Sequence, residues 1–231
     1  MHPRVGLLQP RVHSVKLALI RTELIALPQN EFSQLYPVFR KIFHEGELRQ
    51  LLGKHQVNES TLIPIFDEEQ LTRIANLPLY SQVSVGEIGT YTQNVLLRDT
   101  DQMSMAHSLE VRVPFFDHTL VEYVLAIPDK HKEPSYPKKL LVDAMGDLLP
   151  HALVHRKKMG FVFPWDNWIR TDLRETCGQA LDYLENTGLF LAGTVNQLWE
   201  RFQAKDKEIH WIKIWMLVIL SDWIRRNAIK V

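Results

Sequence analysis

The sequence of 231 residues has few of the features that several common functional classes require. Its single cysteine, Cys177, excludes an internal disulfide framework and fits a reducing, cytoplasmic compartment. Lys plus Arg and Asp plus Glu both number 27. This zero formal charge argues against nucleic acid or a membrane surface as the main partner, because both require a basic surface. The most apolar run, at 214–220, is far shorter than the roughly 20 residues that span a bilayer, so we expect a buried helix there.

The sequence also lacks the usual motifs for phosphate, metal and nucleophile chemistry. It contains no Gly-Gly dipeptide, which excludes the common glycine-rich phosphate loops, and it has no HExxH or CxxC motif. His151 and His155 have the i, i+4 spacing of a metal pair, but two solvated surface side chains are the simpler interpretation. The N-terminal residues have no long apolar segment and no cleavage site, so we predict no signal peptide.

Hydrophobic residues make up 45% of the chain, and their spacing predicts a mainly α protein with a substantial core. We expect residues 1–15 to be loosely structured, 53–66 to form a loop and 77–85 to be irregular. No run of β-strands is predicted. Capping residues and helical periodicity predict helices at 16–27, 31–44, 45–52, 67–75, 86–108, 117–126, 137–145, 150–155, 165–170, 172–185, 194–204 and 207–227.

The segment 96–117, LLRDTDQMSMAHSLEVRVPFFD, carries charges where packing alone would not require them. At 100° per residue, the predicted helix 86–108 has an apolar stripe with Asp99 near its middle. A carboxylate in such a stripe costs several kcal/mol unless it is paired. Asp99 therefore needs a partner, and a distant cation or a ligand would serve equally well. The stripe contains Ile88, Tyr91, Val95, Met103, Ala106 and Leu109.

Glu110 and Arg112 alternate with Val111 and Val113 just before Pro114. Because proline disfavours helix in the residue before it, we expect an extended backbone with the charges on one face and the valines anchored in the core. Spacing alone favours a structural ion pair that orders the chain. The functional alternative is a carboxylate held by a fixed cation beside a substrate amine or phosphate.

A second cluster, RKKMGF at residues 156–161, places three cations before a glycine. Glycine lets a backbone approach an anion closely, and lysine supplies a compact positive charge. A basic helix end is the alternative, because cations are favourable at helix C-termini. Phe163, Trp165 and Trp168 follow at once and should pack the segment down, which favours the anion site. We assign the tryptophans of the last helix to the core or to an interface.

These two clusters together resemble the synthetase domain of the glutamine-hydrolysing asparagine synthetases. That family's pattern L-L-x-x-x-D-x-x-S-M-A-x-S-L-E-x-R-x-P-F-L-D stands here at residues 96–117, with Phe116 in place of leucine. The resemblance is strongest over 86–170. Downstream, the family's leucine-proline and its R-x-K-x-G-F followed by proline stand here as Leu149, Pro150, Arg156, Lys158, Gly160, Phe161 and Pro164.

The resemblance implies a ligase that uses ATP and Mg²⁺ to adenylate the side-chain carboxylate of aspartate and releases pyrophosphate. Ammonia from glutamine then displaces AMP. It implies that Lys158 and Glu110 are catalytic, with Lys158 stabilising the phosphate-bearing transition state electrostatically. Arg112, Asp101 and Gly160 are the implied substrate-binding residues, with Asp101 chiefly holding the architecture of the site. No metal ligand is implied in this chain.

The family's S-G-G-x-D-S nucleotide loop, its G-E-G-x-D-E metal-binding segment and its Cys-initiated glutaminase domain have no match in this sequence. The resemblance therefore implies that residues 16–231 form the helical C-terminal portion of an adenine-nucleotide α-hydrolase-like α/β synthetase domain that lacks most of its parallel sheet. We expect the chain alone to be inactive and to bind neither ATP nor Mg²⁺ tightly.

Two other interpretations stay open. The chain could be a non-catalytic helical subunit that acts with an N-terminal half encoded upstream. Alternatively, it could belong to a related ligase with another acceptor, such as the β-lactam synthetase-like enzymes that cyclise β-amino acids. The Trp-rich last helix also makes a homo-oligomer an expectation to be tested.

Overall fold

The computed structural model describes Ile20, Leu24 and residues 32–53, 65–133, 135–136, 138–156 and 163–230. These residues are mainly helical and include no β-strand, which confirms the predicted mainly α class. The helices are α1 Phe32–Arg40, α2 Glu45–Leu52, α3 Glu68–Ala75, α4 Leu79–Glu87, the π-helical segment Ile88–Leu97, α5 Arg98–Met105, α6 His118–Ala126, α7 Asp129–Lys132, α8 Lys139–Met145, α9 His151–Val154, α10 Trp165–Arg170, α11 Arg174–Glu185, α12 Thr194–Gln203 and α13 Trp211–Arg226. Two short 3-10 helices span Pro114–Phe116 and Gly146–Leu148.

The helix ends that carry clear capping signals lie where the sequence predicts them. The Asp67 carboxylate accepts a hydrogen bond from the Gln70 backbone N–H at 2.7 Å, and the Gln70 side chain returns one to the Asp67 N–H at 3.0 Å. This capping box satisfies backbone donors that have no partner within the helix. Gly53 ends α2 with φ 74°, a left-handed conformation that favours glycine. Of the predicted helix 16–27, only Ile20 and Leu24 are among the described residues, and both are helical.

The prediction of irregular structure at 77–85 is wrong, because α4 begins at Leu79 and the chain continues as helix to Met105. The partner that caps the start of α4 is distant in sequence. The Asp129 carboxylate accepts hydrogen bonds from the backbone N–H groups of Tyr80, at 2.8 Å, and Ser81, at 3.4 Å. A local pattern cannot reveal a cap that lies 48 residues away.

The described residues divide into two compact units. We call residues 37–53 and 163–230 the C-terminal unit, and the described residues among 32–36 and 65–156 the central unit. Helix α1 contributes residues to both.

The C-terminal unit has a continuous apolar core in which α11 packs against α12 and α13. The apolar residues of α11 repeat at i, i+3, i+4 and i+7, so they form one buried face, made of Cys177, Ala180, Leu181 and Leu184. Burial raises the pKa of the Cys177 thiol, which suits a packing role. The predicted buried helix at 214–220 is buried along one face, while Met216 and Ile219 on the other face are exposed.

The central unit buries fewer apolar side chains among its described residues, chiefly Tyr36, Phe66 and Ile74. The Tyr36 hydroxyl donates a hydrogen bond to the Glu87 carboxylate at 2.8 Å. A β-carbon at Gly86 would lie 2.7 Å from the Phe32 ring, and one at Gly89 would lie 2.5 Å from the Phe66 ring. These two glycines therefore let the aromatic side chains pack directly on the helix backbone.

Candidate functional site

The segment 96–117 runs through a helix, a tight turn, a stretch without regular secondary structure at 109–113, a short 3-10 helix and a helix cap. Helix α5 ends in a Schellman turn, in which the Leu109 N–H bonds to the Ser104 carbonyl and the Ser108 N–H bonds to the Met105 carbonyl. Ser108 has φ 57°, a left-handed conformation that costs a non-glycine residue about 1 kcal/mol. At the far end, the Asp117 carboxylate accepts hydrogen bonds from Thr119 N–H and Leu120 N–H. The backbone of the segment is therefore held at both ends.

Glu110 and Arg112 form an ion pair within the stretch 109–113, with Arg112 Nη2 and Glu110 Oε1 2.6 Å apart. Both side chains are largely exposed, Glu110 at 68% and Arg112 at 85%. An exposed pair of this kind stabilises a fold by at most about 1 kcal/mol, so stability gives little reason for its presence.

The valines that alternate with these charges do not anchor the segment in a core, so this prediction is wrong. Val111 and Val113 are 47% and 40% exposed. The charges and the valines both lie at the surface because no described element covers residues 109–113.

The prediction that one apolar stripe of helix 86–108 is buried is also wrong. Tyr91, Val95, Met103 and Leu109 are all exposed, whereas Thr92 is buried. The cause is the π-helical segment Ile88–Leu97, whose i→i+5 hydrogen bonds widen the helix turn, so side chains no longer repeat at 100°.

Asp99 and Asp101 lie in the first turn of α5 and are both exposed. An exposed carboxylate does not pay the desolvation cost that would force it to find a partner, so the argument that Asp99 needs one no longer applies. The backbone carbonyl of Asp101 accepts a hydrogen bond from the Ser104 hydroxyl at 3.1 Å. This bond involves only the Asp101 backbone, so the implied role of the Asp101 side chain stays a prediction.

The basic cluster is described only at Arg156, which is exposed; Lys158 and Gly160 lie outside the described residues. The structure therefore places Asp101, Glu110 and Arg112 in one segment and leaves their distance to Lys158 untested. The aromatic residues after the cluster do form a packed anchor. The Trp165 ring lies 5.5 Å from Trp168, 5.7 Å from Trp211 and 5.0 Å from Trp215, centroid to centroid.

A buried polar cluster at the start of α4 is a feature that sequence analysis missed. The Ser81 hydroxyl donates to Asp129 at 2.7 Å and accepts a hydrogen bond from Lys132 Nζ at 3.0 Å. Burial opposes ionisation of Asp129, but hydrogen bonds from Ser81 and Tyr80, together with the charge of Lys132, outweigh it and lower the pKa of the carboxyl. Because Ser81 is buried, the cluster is structural.

The histidine pair lies beside a second polar group. The His151 and His155 rings are 4.2 Å apart, centroid to centroid, and His155 lies 6.0 Å from the Tyr136 ring. Tyr136 and Lys139 both donate to the Asp143 carboxylate, and these bonds lower the pKa of Asp143. No group of three His, Cys, Asp or Glu side chains suited to a metal ion occurs among the described residues. Both histidines are exposed, as the simpler interpretation expects.

In the part of the chain that the structure describes, no helix is both long and apolar enough to cross a membrane.

The chain is similar to several asparagine synthetases. It is 30% identical over 194 residues to the protein named "Asparagine synthetase [glutamine-hydrolyzing] 1" of Bacillus subtilis, which corresponds to 82% of this chain and 30% of the relative. It is 50% identical over 64 residues to "Asparagine synthetase [glutamine-hydrolyzing] 3" of the same organism, covering 27% of this chain and 10% of that protein. A "Putative asparagine synthetase [glutamine-hydrolyzing]" of Mycobacterium tuberculosis is 26% identical over 144 residues, 59% of this chain and 21% of that protein.

The chain thus spans less than a third of the length of these relatives. No solved structure matches it. The family model described as "Asparagine synthase" matches residues 11–225, which include the central unit, the C-terminal unit up to residue 225 and the whole of the segment 96–117. This chain belongs to the asparagine synthase family.

Proposed function

We propose that this chain forms one wall of the adenylation site of an asparagine synthetase-like ligase. In the proposed reaction, a side-chain carboxylate oxygen of aspartate attacks the α-phosphorus of ATP and pyrophosphate leaves. The nitrogen of ammonia, supplied by glutamine hydrolysis, then attacks the acyl carbon, AMP leaves, and the nitrogen loses a proton. Membership of the family and the motif at 96–117 support this assignment.

The observation that carries the proposal is the exposed Glu110–Arg112 ion pair on a backbone held by the turn at Ser108 and the cap at Asp117. A fixed backbone suits a binding site because it presents side chains in one geometry. Arg112 is 85% exposed, so its guanidinium is accessible to a carboxylate or phosphate. In our proposal, Glu110 binds the incoming amine, and Lys158 stabilises negative charge on the phosphoryl oxygens.

The described residues do not by themselves fit ATP with Mg²⁺. They contain no cluster of carboxylates that could hold a metal ion, and the sequence has no Gly-Gly from which a phosphate loop could form. We therefore derive no step through the nucleotide in this chain. In our proposal, the part of a synthetase that has no counterpart here holds ATP, and the chain alone is inactive.

A chimera tests the function directly. In the Bacillus subtilis asparagine synthetase 1, the segment that matches this chain is replaced by residues 1–231, and pyrophosphate release is measured with ATP, Mg²⁺, aspartate and ammonia. We expect turnover by the chimera and none by the isolated chain. A soluble chimera that releases no pyrophosphate would contradict the proposed reaction, and sustained turnover by the isolated chain would contradict its incompleteness.

Substitutions in the chimera test the residue roles. We expect Lys158→Ala to lower kcat by roughly a hundredfold or more, as is typical when a group that stabilises transition-state charge is removed. Lys157→Ala removes a neighbouring charge and is the matched control, with near-normal turnover expected. Equal effects of the two substitutions would show that only the net charge of the cluster matters.

The ion pair is tested in the same assay. Glu110→Gln and Arg112→Lys should each raise KM or lower kcat by about tenfold or more, because both remove directed polar contacts to a substrate. Glu69→Gln is the control, because Glu69 and Arg73 form another exposed ion pair in the central unit. Wild-type kinetics for Glu110→Gln would remove this residue from the site.

Product analysis separates the alternatives. An amide formed from aspartate and ammonia supports the proposed acceptor. Cyclisation of a β-amino acid without ammonia would support the β-lactam synthetase-like alternative. Pyrophosphate release without either product would support adenylation. It would also show that neither proposed acceptor is the one this chain uses.

A further inference from the structure

Two histidines of the central unit have the spacing and the proximity of a metal chelate. His151 and His155 are four residues apart, and the His155 backbone N–H bonds to the His151 carbonyl at 3.2 Å, which closes one helical turn. Side chains at i and i+4 are neighbours on the surface of a helix. The two rings accordingly lie 4.2 Å apart, centroid to centroid, with 46° between their planes. Two imidazoles at this spacing can bind one ion through one nitrogen each, as in zinc sites built on a helix.

The backbone of this turn is held by its own hydrogen bonds. Pro150 precedes α9, and its carbonyl accepts hydrogen bonds from Leu153 N–H, at 2.9 Å, and from Val154 N–H, at 3.3 Å. The side chain of Val154 is half-buried, whereas both histidines are exposed. The turn is therefore formed before an ion binds, and chelation requires little further ordering of the chain.

A polar group beside the turn restricts one of the two rings. The Tyr136 ring lies 6.0 Å from the His155 ring, centroid to centroid. The Tyr136 hydroxyl donates to the Asp143 carboxylate, which also accepts a hydrogen bond from Lys139. Tyr136 is thus fixed at its far end and limits the space on one side of His155. The histidine pair is partly preorganised and open to solvent.

The donor atoms determine which ions this pair suits. Imidazole nitrogen suits Zn²⁺, Ni²⁺ and Cu²⁺, whereas Mg²⁺ and Ca²⁺ prefer oxygen ligands. Among the described residues, no third His, Cys, Asp or Glu joins the pair in a metal-binding group. The remaining coordination positions would therefore be filled by water or by a ligand from solution, which is the arrangement of an open site.

We propose that His151 and His155 form a two-histidine site for a divalent transition-metal ion. This site differs from any Mg²⁺ site of the proposed reaction in its ligand type, and it does not rest on the proposed function. Its alternative is a pair of independent solvated side chains. Independent side chains would bind ions separately and weakly, whereas a chelate binds one ion through both rings.

Titration calorimetry tests the site without any reaction. The whole chain, produced without a polyhistidine tag, is titrated with Zn²⁺. We expect saturable binding that persists in an excess of Mg²⁺, and tighter binding of Cu²⁺ than of Ni²⁺ or Zn²⁺. The absence of saturable Zn²⁺ binding, or displacement of Zn²⁺ by Mg²⁺, would overturn the proposal.

Substitutions locate the ion. His151→Gln and His155→Gln should each weaken Zn²⁺ binding by roughly tenfold or more, because the second imidazole of a chelate binds at high effective concentration. The double variant should bind little more weakly than either single variant, since each single change already removes the chelate. His107→Gln is the matched control, because His107 is exposed and has Met103 and Val111 at the positions four residues away. Circular dichroism verifies that each variant folds. Equal weakening by His107→Gln, or independent effects of the two single changes, would contradict a shared site.

Two further readouts count the nitrogen ligands and detect binding to the folded chain. The electron paramagnetic resonance spectrum of the Cu²⁺-loaded chain should show coupling to two imidazole nitrogens, and that of His155→Gln to only one. Zn²⁺ should raise the midpoint of thermal unfolding of the unaltered chain and not that of His155→Gln, because an ion that binds the folded state stabilises it. An unchanged spectrum and an unchanged thermal shift in His155→Gln would exclude the histidine pair as the site.

Discussion

In the C-terminal unit, Phe202 is fully buried and the Arg170 guanidinium lies 3.7 Å from its ring centroid; in the central unit, Phe115 is 64% exposed. The two phenylalanines illustrate how differently the units use similar apolar residues. The first unit places them in a closed core of packed helices, whereas the second presents many of them at the surface beside charged residues of the candidate site. Apolar content therefore predicts burial only where a partner surface is present.

The ion pairs follow the same division. Lys213 is buried in the C-terminal unit, donates to Glu47 and lies over the Phe43 ring at 5.5 Å. Glu110 and Arg112 form their pair in solvent. Glu47 stabilises the C-terminal unit because an unpaired buried Lys213 ammonium would be costly, whereas the exposed Glu110–Arg112 pair has little structural effect and its side chains are accessible to a ligand.

The largest expected difference between the units is in the cost of losing an aromatic ring. Phe202→Ala should lower the free energy of unfolding by about 3–5 kcal/mol, because it removes a fully buried side chain and leaves a cavity. Phe115→Ala should change it by less than about 0.5 kcal/mol. Urea unfolding followed by circular dichroism measures both. A similar loss for both variants would contradict the difference in burial.

The ion pairs should differ in the same direction by a smaller amount. Glu47→Ala should cost roughly 2–3 kcal/mol, less than for a fully buried pair, because Glu47 is 24% exposed but leaves Lys213 buried without its carboxylate. Arg112→Ala should cost less than about 1 kcal/mol. The same urea titrations compare the two, and the double variant Glu47→Ala with Lys213→Met should recover part of the loss.

Glycines in the two units should respond oppositely to alanine. Gly89→Ala should destabilise the central unit by about 1–3 kcal/mol, because the new β-carbon would lie 2.5 Å from the Phe66 ring. Gly178→Ala in α11 should stabilise the chain by about 0.5–1 kcal/mol, since the nearest atom would be 3.9 Å away and alanine is the better helix former. Thermal unfolding of the two variants provides the measurement, and a stabilising Gly89→Ala would show that Phe66 moves aside freely.

The smallest expected effect concerns pH. The pKa of Asp129 lies below its ordinary value of 3.8, because hydrogen bonds from Ser81 and Tyr80 outweigh the opposing effect of burial. The ionised carboxylate therefore stabilises the fold above about pH 4, and this contribution disappears as pH falls through the lower folded-state pKa. Asp129→Asn should reduce the slope of stability against pH below about pH 4. Asp99→Asn, at an exposed position, is the control, and equal slopes in both variants would exclude the Asp129 network as the cause.

Much of the helical structure follows from local patterns. The capping box at Asp67, the cap at Asp117 and the glycine ends at Gly53 and Gly146 all lie where the sequence predicts them. These signals are reliable because a helix end must satisfy its own backbone groups within a few residues. The start of α4 was not predictable, because its cap comes from Asp129.

The candidate site was predictable in part. The charges at Asp101, Glu110 and Arg112 were identified from the sequence, and the structure shows that Glu110 and Arg112 pair. The positions of their apolar neighbours were not predictable, because the π-helical segment changes the angular spacing and no described element covers Val111 or Val113. The roles of Lys158 and Gly160 stay predictions, because both residues lie outside the described residues.

The sequence by itself determined the mainly α class, the helix ends with local caps, and the run of residues that identifies the family. These properties depend on interactions over a few residues or on residue order alone. Only the tertiary structure decided which apolar side chains are buried, that Ser108 adopts a left-handed turn, and that Asp129 caps a helix 48 residues away. Burial and long-range hydrogen bonds depend on which surfaces meet in space, and periodicity along one chain does not specify that.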